Sequence, residues 1–333
     1  MLRVGLIGTR FAGSVHLPAF RSLAGVAVEA VAGASRERTA AMADAEGLSA
    51  FHDWRDLIAS GRVQAVAVAV PPALQPEVVS AAARAGVHVF CEKPAAASLA
   101  EAEAMLEEVT RAGVVNAINF GFPESSAWIG AKRVVDSGAL GRLRRISYRW
   151  HVETRAARVV DGSWKARPDA GGGALGNFGP HAFHNIEWLC GPIRCLSGCD
   201  LRSALTVDAA VDLVSGVPGR LSIWADAFRG QGHVVEIFGE DGTLVLANPG
   251  ADYVSGFELR LATRGRSDWE TLVAAPPAAI EDGRIAVTAK IARRFCDAIL
   301  GGGHVTPGLG DGVRAQAWVA AADAAGGEPT RAR

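Results

Sequence analysis

Short apolar segments alternate with amphipathic stretches through the first 120 residues. The stretches between the apolar segments show the i, i+3, i+4 spacing of helices, and Ser98 with Glu101 forms a capping-box pattern before one of them. This alternation predicts an α/β fold for residues 1–120, with a doubly wound parallel sheet of the Rossmann type. The apolar segments read as strands buried on both faces of the sheet; they span residues 4–7, 26–32, 63–70, 87–90 and 114–119.

The pattern changes after residue 120, where strands follow one another at hairpin spacing. We predict a second domain, residues 121–333, with an α+β fold and a large, mostly antiparallel sheet that serves substrate binding and oligomerisation. The last helix could pack back on the first domain. The expected elements are a helix, a strand, a glycine-started helix, a group of hairpin strands and two closing helices, at residues 125–137, 143–153, after 173, 206–273, 285–300 and 311–325.

Composition and charge narrow the class of protein. The chain has 333 residues, more than one hydrophobic core usually serves, which agrees with two domains. Its 34 basic and 35 acidic residues give a net charge of −1, so nucleic acid is not an expected partner. No apolar run reaches the ~18 residues of a membrane helix, so a membrane partner is not expected. The five cysteines are odd in number and unevenly spaced, which indicates a reducing, cytoplasmic environment.

A glycine-containing turn at residues 8–13 (GTRFAG) joins the first strand to the first helix. In dinucleotide-binding turns the first glycine makes the bend, the second admits the pyrophosphate and the third lets the helix pack closely. Gly8 and Gly13 take the first and third positions, whereas Arg10 replaces the second glycine. The alternative is an ordinary βα turn. The position of residues 8–13 after the first Rossmann strand favours a cofactor site, and the Arg10 guanidinium could contact phosphate.

The end of the second strand bears on the type of nicotinamide cofactor. NAD enzymes usually place an acidic residue there to bind the ribose 2′-hydroxyl. This strand ends in residues 33–36 (GASR), with no acid. Ser35 and Arg36 offer a hydroxyl and a guanidinium, which suit a 2′-phosphate, so NADP(H) is preferred and NAD(H) stays open. The alternative for Arg36 is a solvated charge at the start of a helix.

A lysine follows the strand at 87–90, within residues 91–94 (CEKP). Ligands of open α/β sheets bind at the carboxyl ends of the strands. Lys93 could therefore donate a hydrogen bond to a substrate oxygen or to the nicotinamide ribose. Proton transfer near neutral pH would need its usual pKa of about 10.4 to be lowered. The alternative is an exposed Glu92–Lys93 pair before a proline turn.

With these motifs the chain resembles the Gfo/Idh/MocA oxidoreductases, the family of glucose–fructose oxidoreductase and inositol dehydrogenase. The resemblance implies hydride transfer between a nicotinamide and a carbon that bears a hydroxyl or carbonyl group, usually on a sugar, cyclitol or derivative. It also implies homodimers or homotetramers formed through the C-terminal sheet. The residues that carry the likeness extend over nearly the whole chain: 8–13 with His16 and Pro18, 68–72 (VAVPP), 92–94 (EKP), 171–175 (GGGAL) through His181, and 311–314 (DGVR).

By this resemblance Lys93 is a catalytic or cofactor-anchoring residue, and Pro71 and Pro72 border the nicotinamide half of the cofactor. The expected cofactor-binding residues are Gly8, Thr9, Arg10, Phe11, Ala12, Gly13, Ser35, Arg36, Val70, Pro71, Pro72, Gln75, Glu92 and Lys93.

The helix after the glycines carries polar residues on one face. At 100° per residue, Asn177, His181, His184 and Trp188 fall together, opposite an apolar stripe. Two histidines on an exposed face are one alternative. A metal site is another, but no acid or cysteine nearby completes it, so no metal is expected.

In the family that the chain resembles, this helix reads Asp-x-x-x-His, and a lysine, the aspartate and the histidine handle the proton. His181 matches the histidine, but Asn177 stands where the aspartate would be, and an amide cannot accept a proton. Our hypothesis is that His181 is the general acid or base, Asn177 positions it or the substrate, and His184 supplies a second donor.

Trp164 and Lys165 lie just before the glycine segment. Relatives often carry an aromatic–basic pair here, which suggests that Trp164 stacks on a sugar face and Lys165 binds an oxygen or a carboxylate. The alternative is that Trp164 packs at the domain boundary.

The leading hypothesis is an NAD(P)-dependent dehydrogenase or reductase that acts on CH–OH groups of a polyhydroxylated small molecule. It requires the ammonium of Lys93 and the imidazole of His181 to converge beside one nicotinamide ring. Asn177 and Arg10 keep open a nucleotide-binding regulator that has lost the chemistry. A third alternative is a lyase or glycosidase that uses bound nicotinamide transiently.

Overall fold

The computed structural model describes residues 1–154, 163–250, 254, 256–275 and 282–326. The chain divides into two compact units, one of Met1–Gly121 with Arg284–Gln316, the other of Phe122–Gly283 with Ala317–Arg333. The expected division was 1–120 and 121–333, with the last helix able to pack back on the first domain; the unit that holds Met1–Gly121 also contains residues 284–316, which include the penultimate helix and the start of the last one.

The strands form two sheets. The first unit holds a six-stranded sheet with the order β3-β2-β1-β4-β5-β6, and the second holds an eight-stranded sheet with the order β14-β13-β12-β11-β7-β10-β9-β8. In chain order the strands are β1 Leu2–Ile7, β2 Val26–Ala32, β3 Ser49–Phe51, β4 Ala65–Val68, β5 His88–Cys91, β6 Asn116–Ile118, β7 Leu143–His151, β8 Ile193–Asp200, β9 Thr206–Leu213, β10 Pro218–Trp224, β11 Gly232–Gly239, β12 Gly242–Asn248, β13 Glu258–Thr263 and β14 Glu270–Val273.

The helices follow the predicted order. One π-helical turn, Ala12–His16, leads directly into the first α-helix. The capping box is confirmed, because the Ser98 hydroxyl accepts from the Glu101 backbone N–H while the Glu101 carboxylate accepts from that of Ser98. The α-helices are α1 Leu17–Arg21, α2 Arg36–Glu46, α3 Trp54–Ala59, α4 Gln75–Arg84, α5 Leu99–Ala112, α6 Ser126–Asp136, α7 Gly173–Cys190, α8 Arg284–Gly301 and α9 Leu309–Ala325.

The six-stranded sheet is parallel throughout, which confirms the predicted Rossmann fold. Its strand order reverses direction between β1 and β4, and ligands of such sheets bind in the crevice at that point. The short strand β3 was not predicted, because three residues are too few to show a periodic pattern.

Both faces of the six-stranded sheet are covered by apolar side chains. Along β4, Ala65 and Ala67 belong to one buried cluster, and Val66 and Val68 to another. Helix α8 joins the first cluster through Phe295, whose ring centroid lies 5.9 Å from that of Phe90. This packing explains why residues 284–316 belong to the first unit.

The eight-stranded sheet is antiparallel except for the pair β7–β10, which confirms the predicted mostly antiparallel sheet. Helices α6 and α7 contact its strands, and Ile146, Tyr148 and Trp150 of β7 are buried. The edge strand β8 was not predicted, because its sequence (IRCLSGCD) lacks clear alternation and its register shifts twice against β9.

Among the described residues, no helix has both the length and the apolar character needed to span a bilayer.

Candidate active site

The glycine-containing turn at residues 8–13, which we call the phosphate turn after its expected ligand, bends sharply at its first glycine. Gly8 has a φ of +118°, and a Cβ there would lie 2.5 Å from the backbone oxygen of Ala69. A Cβ at Gly13 would lie 3.3 Å from the sulfur of Met42 on α2, so this glycine allows close packing. Arg10, in the place of the second glycine, is exposed. The turn therefore fits a dinucleotide at its first and third positions and presents a cation at the second.

The end of β2 approaches this turn through Gly33. A Cβ at Gly33 would meet both Cγ2 of Thr9 and Oγ1 of Thr39 at 2.7 Å. Ser35 is the N-cap of α2, where its hydroxyl oxygen accepts a hydrogen bond from the backbone N–H of Arg38 at 3.3 Å. Arg36 is exposed at the first position of the helix. Two exposed arginines, Arg36 and Arg38, therefore lie in the first turn of α2 on either side of the exposed Glu37, and no acidic side chain occupies residues 33–36.

Gln75, at the start of α4, holds the turn that carries Lys93. Its side-chain nitrogen donates to the backbone oxygens of Glu92, Pro94 and Ala95, at 2.6, 2.9 and 3.0 Å. The side chain is only 1% exposed, so water does not compete for these bonds. The role of Gln75 in holding this turn was not foreseen from the sequence.

Glu92 is part of a buried hydrogen-bond network. Its Oε1 lies 2.9 Å from Nε2 of His16 and accepts from Nδ2 of Asn119 at 2.7 Å. Nδ2 of Asn119 also lies 3.0 Å from Oγ1 of Thr288 on α8. Because a carboxylate only accepts, Nε2 of His16 carries the hydrogen. The exposed-pair alternative is wrong for Glu92, whose side chain is 13% exposed.

Aromatic rings enclose His16. It is fully buried, with the ring centroids of Phe11, Phe20 and Phe90 at 5.4, 6.5 and 5.3 Å, all edge to face. The phosphate turn, through Phe11, and the Lys93 turn, through Glu92, are thus joined by one imidazole. Both turns lie in the first unit and contact the same buried side chain.

In the second unit, the glycine segment allows a loop to pack on the start of α7. A Cβ at Gly172 would lie 2.0 Å from the backbone oxygen of Trp164, and one at Gly176 would lie 2.3 Å from that of Gly171. Only glycine tolerates such contacts, so the loop that carries Trp164 and Lys165 is held against the helix. Nζ of Lys165 lies 6.0 Å from the centroid of the Trp164 ring. The residues just before this pair, 155–162, lie outside the described residues.

His181 lies inside the second unit rather than on a solvated helix face. It is 8% exposed, so the exposed-histidine alternative is wrong for it. Its ring centroid lies 5.0 Å from that of Phe122, edge to face, and 6.0 Å from that of Trp150. Asn177 and His184 are half-buried one turn before and about one turn after it. The helix therefore presents the three polar side chains along one line, as the spacing predicted.

A second histidine of this region was missed by sequence reasoning. His233 on β11 is 1% exposed, and its ring stacks on that of Trp150 at 4.4 Å with 4° between the planes. Burial lowers the pKa of His233 to about 3, so it is neutral at physiological pH. The signal was present, because His233 has the same strand parity as the buried Val235 and Ile237.

The described residues contain no group of three or more His, Cys, Asp or Glu side chains arranged to hold a metal ion. All five cysteines are free thiols.

Comparison with known proteins decides the family. Residues 2–120 match the model described as an oxidoreductase family with an NAD-binding Rossmann fold, and residues 128–245 match the Gfo/Idh/MocA C-terminal domain. The chain belongs to the Gfo/Idh/MocA oxidoreductase family. The predicted resemblance is confirmed, and this family member is an NAD(P)-dependent oxidoreductase.

Two related sequences and one solved structure show how similar this Gfo/Idh/MocA protein is to other members. It is 30% identical to an uncharacterized oxidoreductase of Synechocystis over 95% of this chain and 91% of the relative. It is 31% identical to dTDP-3,4-didehydro-2,6-dideoxy-alpha-D-glucose 3-reductase of Streptomyces violaceoruber over 74% of this chain and 72% of the relative. Among solved structures, levoglucosan dehydrogenase in complex with NADH and levoglucosan has a TM-score of 0.86 at 24% identity, over 98% of this chain and 97% of that one.

Proposed function

We propose that this Gfo/Idh/MocA oxidoreductase transfers a hydride between a nicotinamide dinucleotide and a hydroxyl- or carbonyl-bearing carbon of a sugar, cyclitol or related polyol. The observation that carries the proposal is the support of the Lys93 turn. Gln75 holds its backbone through three hydrogen bonds, and Glu92 anchors it to the network of His16, Asn119 and Thr288. Such preorganisation of a lysine at the ligand edge of a Rossmann sheet is what a reactive site requires.

The cofactor is held, in this proposal, by the turn at residues 8–13, by Val70, Pro71 and Pro72, and by the Glu92–Lys93 turn. When bound, the nicotinamide supplies or takes up the hydride. We propose NADP(H) over NAD(H), because Ser35 and the exposed Arg36 stand where NAD enzymes place an acid. Titration of the protein with NADPH and with NADH tests this preference, and tighter binding of NADH would overturn it.

The residues proposed for proton handling are Lys93, His181 and Asn177. Lys93 donates a hydrogen bond to the substrate oxygen at which charge changes during hydride transfer. His181 takes the hydroxyl proton in the oxidative direction and returns it in the reductive one. Asn177 orients His181 or the substrate, since an amide has donors and an acceptor but no proton to exchange.

The substrate-binding residues proposed are Trp164, Lys165 and His184. The half-buried indole of Trp164 offers an apolar face to a sugar ring, and the exposed ammonium of Lys165 can donate to a hydroxyl or a carboxylate. The names of the relatives, a sugar-nucleotide reductase and a levoglucosan dehydrogenase, agree with a carbohydrate substrate.

A turnover assay tests the proposal. Nicotinamide absorbance is followed with the purified protein, each cofactor, and a panel of sugars, cyclitols and sugar acids in both directions. Turnover on one class of polyol is expected. Tight cofactor binding without turnover would favour the nucleotide-binding regulator, for which Asn177 and Arg10 are the supporting residues. Product formation without net cofactor consumption would favour a lyase or glycosidase.

Self-association through the eight-stranded sheet is part of the proposal. Trp224 of β10 is 44% exposed and stacks on His151 of β7, and the nearby Phe228 is 73% exposed. Exposed aromatic side chains of this size are typical of interfaces. Light scattering should show a homodimer or homotetramer, and Trp224→Glu should weaken it; a wild-type monomer would contradict this expectation.

A further inference from the structure

Helix α8 reaches the cofactor edge of the first unit, although it lies some 160 residues beyond that unit's first segment. Two of its side chains, Arg284 and Thr288, are one helical turn apart. Thr288 is fully buried and bonded to Asn119, which binds Glu92. A Cβ at Gly121 would lie 2.8 Å from Cγ2 of Val287, so the helix packs closely against the end of the first segment. These contacts fix the register of the helix start.

Arg284 lies over the ring of a residue of the phosphate turn. The carbon at the centre of its guanidinium is 5.1 Å from the centroid of the Phe11 ring. Phe11 is part of the turn at residues 8–13, and its ring also contacts His16 at 5.4 Å. A guanidinium near an aromatic face is attracted to it through cation–π interaction. The Arg284 side chain is thereby held beside Phe11, a residue of the turn.

The chemistry of the turn supplies the reason for a second cation. The pyrophosphate of a dinucleotide is an anion, and Arg is the side chain best suited to bind phosphate through paired hydrogen bonds. In this chain Arg10 replaces the glycine that normally lets the backbone approach the pyrophosphate. With a side chain at position 10 the backbone cannot approach the pyrophosphate as closely as with glycine, so a further side-chain donor would strengthen binding.

We propose that Arg284 is a ligand of the cofactor pyrophosphate, oriented by Phe11 and anchored through the register of α8. Its hydrogen bonds to the pyrophosphate compensate for the second glycine of the turn, which Arg10 replaces. The inference rests on the proposed binding of a nicotinamide dinucleotide, and it assigns a binding residue outside the turn itself.

Equilibrium binding tests the assignment. Dissociation constants are measured by calorimetry for NADH, NADPH and ADP-ribose, which keeps the pyrophosphate but lacks the nicotinamide. Arg284→Ala should weaken all three roughly 10–100-fold, as expected for loss of a charge-assisted phosphate contact. Arg284→Lys should restore part of the affinity, and Phe11→Leu should weaken it less than Arg284→Ala. The salt dependence of binding should become shallower in Arg284→Ala.

Arg293→Ala is the matched control. It also removes a guanidinium from α8, but this guanidinium donates to the backbone oxygen of Ala24. Should Arg284→Ala fail to fold, Arg284→Gln gives the same comparison with a polar side chain kept. Unchanged affinity for ADP-ribose, or a loss equal to that of Arg293→Ala, would overturn the assignment. Weaker ADP-ribose binding in a protein with no turnover on any polyol would support Arg284 and overturn only the proposed substrate.

Discussion

Two buried regions around histidines are built in different ways. Around His16, which aromatic rings also enclose, Nε2 is bonded to Glu92, and the network continues to Asn119 and Thr288, while Nδ1 has no hydrogen-bond partner among the described residues. Around His181 and His233, the neighbours are mainly aromatic rings that pack by shape. In the first unit, hydrogen bonds therefore hold the Glu92–Lys93 turn, whereas in the second unit the two imidazoles lie in surroundings of low polarity.

The largest effect is expected from replacing His181, the proposed general acid or base of the second region. His181→Ala should lower kcat by ~10²–10⁴, because the general acid or base is lost. The dissociation constant of the cofactor, measured by calorimetry, should stay within about twofold. His304→Ala, at an exposed position between α8 and α9, is the control. A kcat for His181→Ala equal to that of the control would remove His181 from the mechanism.

The network of the first region should be costly to break. Glu92→Ala leaves the buried donors of His16 and Asn119 without their acceptor, and we expect a loss of about 1.5–3 kcal/mol in the free energy of unfolding. Urea denaturation measures it. Glu103→Ala on the exposed face of α5 should change the free energy by less than about 0.5 kcal/mol. Equal effects for the two variants would mean that the network contributes little.

His233 makes the stability of the protein depend on pH. Its folded pKa, about 3, lies below the usual value, so protonation favours the unfolded chain. The contribution of the neutral His233 side chain to the free energy of unfolding is complete above pH ~6.5, and it is lost as the pH falls from there toward 3. Relative to His233→Phe, the wild type should lose about 2 kcal/mol between pH 7.5 and 5. Thermal melts at both pH values measure the difference, with the exposed His52→Gln as control; parallel pH profiles would contradict the assignment.

The smallest expected effect concerns a polar contact in the second region. The amide nitrogen of Asn185 donates to the Tyr148 hydroxyl at 3.2 Å, and both side chains are buried. Tyr148→Phe should cost about 0.5–1.5 kcal/mol, which denaturant titration can resolve. Ser137→Ala, at an exposed helix end, is the control. A loss as large as that for Glu92→Ala would show that hydrogen bonds matter equally in both regions.

Local pattern determined much of the fold. The alternation of apolar and amphipathic stretches predicted the Rossmann sheet, and the line of Asn177, His181 and His184 on one helix followed from a 100° repeat. These features can be predicted because residues close in sequence belong to the same helix or strand. The period of that element appears directly in the spacing of the apolar residues.

Contacts between distant segments were decided only by the tertiary structure. The bond from Asn119 to Thr288 joins residues 169 positions apart, and neither side chain carries a signal in its own segment. The same holds for Arg284 over Phe11 and for His233 against Trp150. Periodicity tells which face of an element is buried, but the partner that covers it depends on how the elements pack. That packing placed the start of α8 beside Phe11 and enclosed His233 in aromatic rings.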